Sequence, residues 1–280
     1  MPSLSFRIVN VFTRDHGKLT GNPLCVFEDG TSLDTQTMQA LARQFNLSET
    51  TFILPSAIAA ARVRIFTPDY EMPFAGHPTL GTAFVCRALN KGGDELTLEM
   101  TAGVIPVSAQ GERWTLQANA PTWRNVEASN AEIAAALSLT ERDIGGLPLW
   151  VKAGKEQLIV PLATPDAVRR AQPSADSFFK LRSEEGLSMS YVFAPVGPNR
   201  WVSRFFFPGG TAILEDPATG SATANLGGWL IATGHSQPAS FAISQGEQVG
   251  RPSTLYLEVN AGRILVGGDV VELGRGVLNL

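Results

Sequence analysis

The chain predicts an α+β fold built from two similar domains related by a pseudo-twofold axis, and three observations predict it. First, landmarks of one half recur in the other. Pro55 matches Pro195, and Arg64-Ile65-Phe66-Thr67-Pro68 matches Arg204-Phe205-Phe206-Phe207-Pro208 at an offset of 140 (204 − 64); Glu71 then matches Glu215 and Gly76 matches Gly220 at 144 (220 − 76). Second, the order of elements repeats with them: a strand stopped by proline, a turn, and a helix opened by glycine. Third, each half carries many short strand patterns around one apolar helix, which suits α+β better than a doubly wound parallel sheet. A period this long is not a solenoid, and it places the functional site in a cleft between the halves.

In chain order, Asp34 is a plausible N-cap for a helix whose Met38, Leu41, Ala42 and Phe45 share one stripe. Residues 63–66 read as a strand. The following helix places Leu80, Phe84 and Leu89 on a buried face, and Gly76 and Gly81 allow close backbone approach. Strands are expected over 95–100 and 104–108. The linker is placed between Pro121 and Pro148, with a helical pattern over 130–137, which divides the chain into domains 1–125 and 126–280. The second half repeats the pattern with a strand over 201–207, a helix carrying Leu226, Trp229 and Leu230, and strands over 241–244, 255–259 and 263–266. The extreme C-terminus is allowed to pack back on the first domain.

Bulk properties exclude several classes of function. At 280 residues, with 44% hydrophobic and 17% charged residues, the chain can bury a substantial core. The 22 Lys and Arg residues are scattered and the net charge is -4, so no nucleic-acid partner is expected. There is no signal-peptide pattern and no apolar run of membrane-spanning length, so a cytoplasmic protein with no membrane partner is expected. Cys25 and Cys86 sit in apolar runs and read as small hydrophobes. His16, His77 and His235 lack metal-ligand spacing, so no metal is indicated. No P-loop or dinucleotide fingerprint is present, which leaves the chemistry to side chains.

Two glycine-opened helices, preceded by Glu71-Met72-Pro73-Phe74-Ala75 and Glu215-Asp216-Pro217-Ala218-Thr219, offer backbone N–H groups and a positive dipole end to an anionic ligand. Gly76, His77, Thr219, Gly220 and Ser221 are therefore candidate substrate-binding residues. His77 could bind a carboxylate, polarise a carbonyl, or simply cap or pack; Ser221 could bind a ligand or cap its helix. Glu49 follows Asn46-Leu47-Ser48 at the start of a strand, where it is either a solvated strand-end carboxylate or an acid/base. The repeat matches Glu49 to Met189 and Asp216 to Met72, so each half supplies one unmatched acid, Glu49 and Asp216 being the catalytic candidates. Glu215, matched to Glu71, reads as structural. One base and one distinct acid suit moving a proton between two positions of one substrate. Ser221, His77 and Asp216 also supply the residue types of a hydrolase triad, but no Gly-x-Ser-x-Gly elbow surrounds Ser221. A binding protein that keeps the cleft without turnover is the other alternative.

The chain resembles the PhzF-like family, within the diaminopimelate-epimerase-like superfamily. The resemblance rests on Asn10-Val11-Phe12-Thr13, Gly21-Asn22-Pro23, Asn46-Leu47-Ser48-Glu49-Thr50, Arg64-Ile65-Phe66-Thr67-Pro68, Phe74-Ala75-Gly76-His77-Pro78-Thr79 and Glu215-Asp216-Pro217-Ala218-Thr219-Gly220-Ser221-Ala222. It implies two domains, each a β-barrel-like sheet around a central helix, a homodimer, a small carboxylate substrate and no cofactor. It also implies that Glu49 transfers the proton while His77, Asp216 and Ser221 line the substrate site. The superfamily's epimerases use two cysteines on the helix-opening turns; here those turns carry Ala75 and Thr219. What the resemblance leaves is an isomerase that shifts a proton with a single carboxylate.

Overall fold

The computed structural model of the chain describes residues 3–280. The fold is α+β, and the chain divides into two compact units, Met1–Gln117 with Gly267–Leu280, and Ala118–Val266. The first contains β1 (Ser3–Val11), β2 (Asn22–Phe27), α1 (Thr35–Phe45), β3 (Glu49–Leu54), β4 (Ala61–Phe66), β5 (Glu71–Met72), α2 (Gly76–Ala88), β6 (Glu95–Met100), β7 (Gly103–Gln110) and β8 (Arg113–Gln117). The second contains β9 (Thr122–Asn125), α3 (Asn130–Ala136), β10 (Leu149–Lys152), β11 (Glu156–Pro161), α4 (Pro165–Arg170), α5 (Ala175–Phe178), β12 (Ser190–Gly197), β13 (Arg200–Gly209), β14 (Ala212–Asp216), α6 (Gly220–Ala232), β15 (Ala239–Gln245) and β16 (Ser253–Asn260). The last strand, β17 (Arg263–Asn279), begins in the second unit and ends in the first.

In the first unit β1, β2, β3, β4, β6, β7, β8 and β17 pair in that order, and β17 pairs back on β1, so eight strands close a ring. The second unit repeats the same sequence of pairings. β1–β2 corresponds to antiparallel β10–β11, parallel β2–β3 to parallel β11–β12, β3–β4 to β12–β13, and parallel β4–β6 to parallel β13–β15. The short strands β5 and β14 hang on β4 and β13 in the same way.

The repeated residues make repeated contacts. Arg64 Nε and Nη2 donate to Glu71 Oε1 and Oε2 at 2.7 and 2.6 Å; Arg204 Nε and Nη2 donate to Glu215 Oε1 and Oε2 at 3.1 and 2.7 Å. Each guanidinium also lies over the phenylalanine two residues on, 5.0 Å from the Phe66 centroid and 4.7 Å from that of Phe206. Glu215 is thus held by the fold. Arg204 additionally donates to the carbonyls of Val168, Arg169 and Ala171 at the end of α4.

The central helices depart from the expected one-sided stripe. In α2 every residue from His77 to Ala83 is buried, as are Val85 and Cys86, while Phe84 is half-buried and Leu89 is the C-cap. An enclosed helix has no solvent face, so its side chains are small rather than periodic. A Cβ at Gly81 would lie 2.6 Å from Leu24 Cδ2, and one at Gly228 in α6 would lie 2.7 Å from Val151 Cγ1. By contrast α1 is one-sided as expected. Asp34 accepts from the Thr37 N–H at 2.7 Å, Asn46 ends the helix at φ 51, and Met38, Leu41 and Ala42 pack on Phe27, Phe52 and Phe66.

Three boundaries differ from the sequence reading. The first crossing between units falls between Gln117 and Ala118 rather than after residue 125, because Thr122–Asn125 pairs with β10. The segment between Pro121 and Pro148 is accordingly part of the second unit, with α3 opened by a Ser129/Glu132 capping box. Pro208 does not stop β13; it sits in the β13–β14 hairpin opposite Ile213. The strand expected over 263–266 continues to Asn279, because Gly268 serves close approach and makes no turn: a Cβ there would collide with the Phe12 ring.

The two ion pairs differ in burial, which predicts unequal costs. Both side chains of Arg204–Glu215 are 10% exposed, against 19% and 31% for Arg64–Glu71. Glu215→Gln leaves a buried guanidinium short of a charge and should destabilise by about 3 kcal/mol. Glu71→Gln should cost about 1 kcal/mol. Urea denaturation of both variants checks the order; equal losses would refute it.

Candidate active site

In the first unit, the α1 C-cap at Asn46 turns the chain into β3, whose first residue is Glu49, paired in parallel register with Leu24 of β2. Gly76 and His77 open α2, whose N-cap Ala75 has no side-chain hydrogen bond to offer the first turn. A Cβ at Gly76 would meet nothing within 4 Å, so packing does not call for glycine there. These elements bring Glu49 and His77 together, with His77 Nε2 3.4 Å from Glu49 Oε2.

The protonation of this pair follows from burial. His77 is 7% exposed, and desolvation pushes its imidazolium down to about 3, only partly opposed by a hydrogen bond to the Pro23 backbone. The ring is therefore neutral where its Nε2 meets Glu49, and that contact becomes a hydrogen bond when one of the two atoms carries a proton.

In the second unit, Asp216 ends β14 opposite Phe205, and Thr219 is the N-cap of α6. The Thr219 hydroxyl donates to Asp216 Oδ2. Gln245 of β15, 1% exposed, holds the turn: its Nε2 donates to the Asp216 carbonyl at 2.9 Å and to Thr219 Oγ1 at 3.0 Å, and its Oε1 accepts from the Thr219 N–H at 3.3 Å. Gly220 and Ser221 form the first turn of α6, and exposed Ser221 accepts from Gln157 Nε2 at 3.2 Å. Gln157 Oε1 in turn accepts from Asn225 Nδ2 at 2.8 Å.

The hydrolase triad is not formed. A catalytic histidine needs its Nδ1–H on a carboxylate and its Nε2 on the nucleophile. Here Nε2 faces the Glu49 carboxyl and not a hydroxyl. Among the described residues no group of three His, Cys, Asp or Glu side chains could hold a metal ion, and no helix is long and apolar enough to cross a membrane. Both cysteines are buried and burial pushes their thiols up, Cys86 to about 12, as expected of small hydrophobes.

Sequence reasoning missed Gln157, Asn225 and Gln245. One signal was available. Asn225 interrupts the apolar run of α6, at the place where the 144-residue offset puts Gly81 in α2.

Comparison with known proteins places the chain as a whole. A family described as phenazine biosynthesis-like protein (PhzC-PhzF) matches residues 9–276. An uncharacterised isomerase of Pasteurella multocida is 36% identical over 98% of this chain and 93% of its own length. A trans-2,3-dihydro-3-hydroxyanthranilate isomerase of Pseudomonas aeruginosa is 37% identical over 85% of this chain and 84% of its own. The crystal structure of a PhzF-family protein of Bacillus anthracis superposes with a TM-score of 0.88 over 100% of both chains at 24% identity, which speaks for the fold.

Neutral burial of His77 has a pH signature. With a folded value near 3 and an unfolded value near 6.5, the folded chain binds no proton here while the unfolded chain does, so stability is full above pH 6.5 and is lost as pH falls towards 3. Between pH 6.5 and 4 the wild type should lose about 1.4 kcal/mol per pH unit more than His77→Asn. Parallel pH profiles of unfolding free energy for the two proteins would refute the neutral imidazole.

Proposed function

Because the chain belongs to the phenazine biosynthesis-like (PhzF) family and is an isomerase, we propose that it moves a proton within a small unsaturated or cyclic amino or hydroxy acid, with Glu49 as the general acid/base. The observation that carries this reading is the carboxyl of Glu49 3.4 Å from Nε2 of an imidazole that burial keeps neutral. Glu49 removes a proton from a carbon next to the unsaturated system, the electron pair shifts along that system, and the carboxyl, after exchanging its proton with solvent, protonates a distal carbon. The reaction needs one group that is base and then acid, and the carboxyl is both. While Glu49 holds the proton, Nε2 of His77 accepts a hydrogen bond from it, which lowers the cost of a protonated carboxyl at that moment. We therefore assign His77 to the proton on Glu49 and not to the substrate carboxylate.

The second unit supplies substrate recognition in this proposal. Asp216 holds an amino or hydroxyl group, and Ser221 with the first-turn N–H groups of α6 takes the carboxylate. No cofactor enters the steps as written. The substrate of the Pseudomonas relatives, trans-2,3-dihydro-3-hydroxyanthranilate, is a cyclic amino and hydroxy acid of this class and is the first compound to test.

In D2O the wild type should incorporate one deuteron per turnover into this compound or into another cyclic unsaturated amino or hydroxy acid of a panel. Glu49→Gln should lower exchange at least about 1000-fold, and Asp216→Asn should raise KM more than it lowers kcat. Undiminished exchange by Glu49→Gln would remove Glu49 from the chemistry. Tight binding without exchange would instead favour a binding protein.

A further inference from the structure

We propose that Gln157 and Asn225 are positioning residues that fix the Ser221 hydroxyl as a hydrogen-bond donor, so that the substrate atom it meets is an acceptor oxygen. The inference rests on the isomerase reading for its ligand class and on the second unit alone for its geometry.

The orientation is determined link by link from the backbone. The Ala153 N–H donates at 2.7 Å to the Asn225 side chain, and only an oxygen can accept there, which places Oδ1. Asn225 Nδ2 must then face the Lys155 carbonyl at 3.0 Å and Gln157 at 2.8 Å. A second donor against Nδ2 would repel it, so Gln157 turns its Oε1 to Asn225 and its Nε2 to Ser221, 3.2 Å away. An amide nitrogen only donates, so Ser221 Oγ accepts. Among the described residues the Ser221 hydroxyl has no other hydrogen-bond partner, so its own proton points away from Gln157. Asn225 is 0% and Gln157 2% exposed, whereas Ser221 is exposed.

The internal repeat shows that the fold does not require this polar chain. Sheet register matches Leu158, paired with Ser190, to Cys25, paired with Thr50, so Gln157 corresponds to Leu24. The 144-residue offset matches Asn225 to Gly81 and Ser221 to His77. In the first unit the equivalent contact is Gly81 against Leu24, entirely apolar. Two buried amides where leucine and glycine suffice carry a desolvation cost, and their product is the direction of one hydroxyl. The second unit holds Ser221 by an amide N–H, which directs the serine's own proton elsewhere.

The variant Gln157→Leu installs the residue of the first unit. Binding of 3-hydroxyanthranilate, a stable aromatic acid with the substituents of the first test compound, should weaken about tenfold in Ser221→Ala. Gln157→Leu should weaken it several-fold, and the double variant should bind no worse than Ser221→Ala alone. Wild-type binding by Gln157→Leu, or additive losses in the double variant, would overturn the proposal. Neutron diffraction from perdeuterated, ligand-free crystals reads the orientation directly, and it decides the question even if the probe does not bind. The Ser221 deuteron should point away from Gln157; a deuteron directed at the Gln157 side chain would overturn the relay. Loss of Glu49-dependent exchange is the separate failure of the isomerase reading.

Discussion

The bidentate pairs Arg64–Glu71 and Arg204–Glu215 determine where each internal helix begins. In both units the arginine sits on a long strand and the glutamate on the short strand hydrogen-bonded to it, so the ion pair locks the end of a two-stranded ribbon. Five residues after each glutamate comes the glycine that opens α2 or α6. A helix enclosed by sheet cannot choose its start by amphipathicity, because it has no polar face to set its phase. The position of its first turn is inherited from the ribbon, and with it the positions of His77 and Ser221.

On this common frame the two units differ in the residue next to the helix-opening glycine. Low exposure keeps the His77 imidazole neutral against the opposing effect of the Pro23 backbone, with Nε2 towards Glu49. Behind Ser221 stands an amide relay, and behind Asp216 and Thr219 stands Gln245. In the proposed chemistry the first unit carries the group that exchanges a proton and the second carries groups with fixed donors and acceptors, a useful division because a proton shift needs a labile site and a rigid one.

Much of this was legible in the sequence because the legible parts are local. Arg64, Phe66 and Glu71 recur as Arg204, Phe206 and Glu215, and a bidentate pair with a ring beneath it requires those residue types at those strand positions. The Asp34 cap and the α1 stripe were readable for the same reason. The central helices read poorly, because small buried residues on every side leave no period to detect. The length of β17 was not read beyond residue 266, where Gly267 and Gly268 pack closely against Thr115 and Phe12. Gln157 gave no signal at all, lying 64 residues from the serine it holds.

The repeat, the α+β class and the family could be read from the linear chain, as could the candidacy of Glu49, His77, Asp216 and Ser221, since each is carried by a short motif. The protonation of His77 and the direction of Ser221 are settled only by packing. The neutral ring of His77 depends on its burial, and the direction of the Ser221 hydroxyl depends on two amides brought from β11 and the interior of α6. A side chain's polarity is set by the partner behind it and by its exclusion from water, and both are properties of the folded chain that no local pattern of residues encodes.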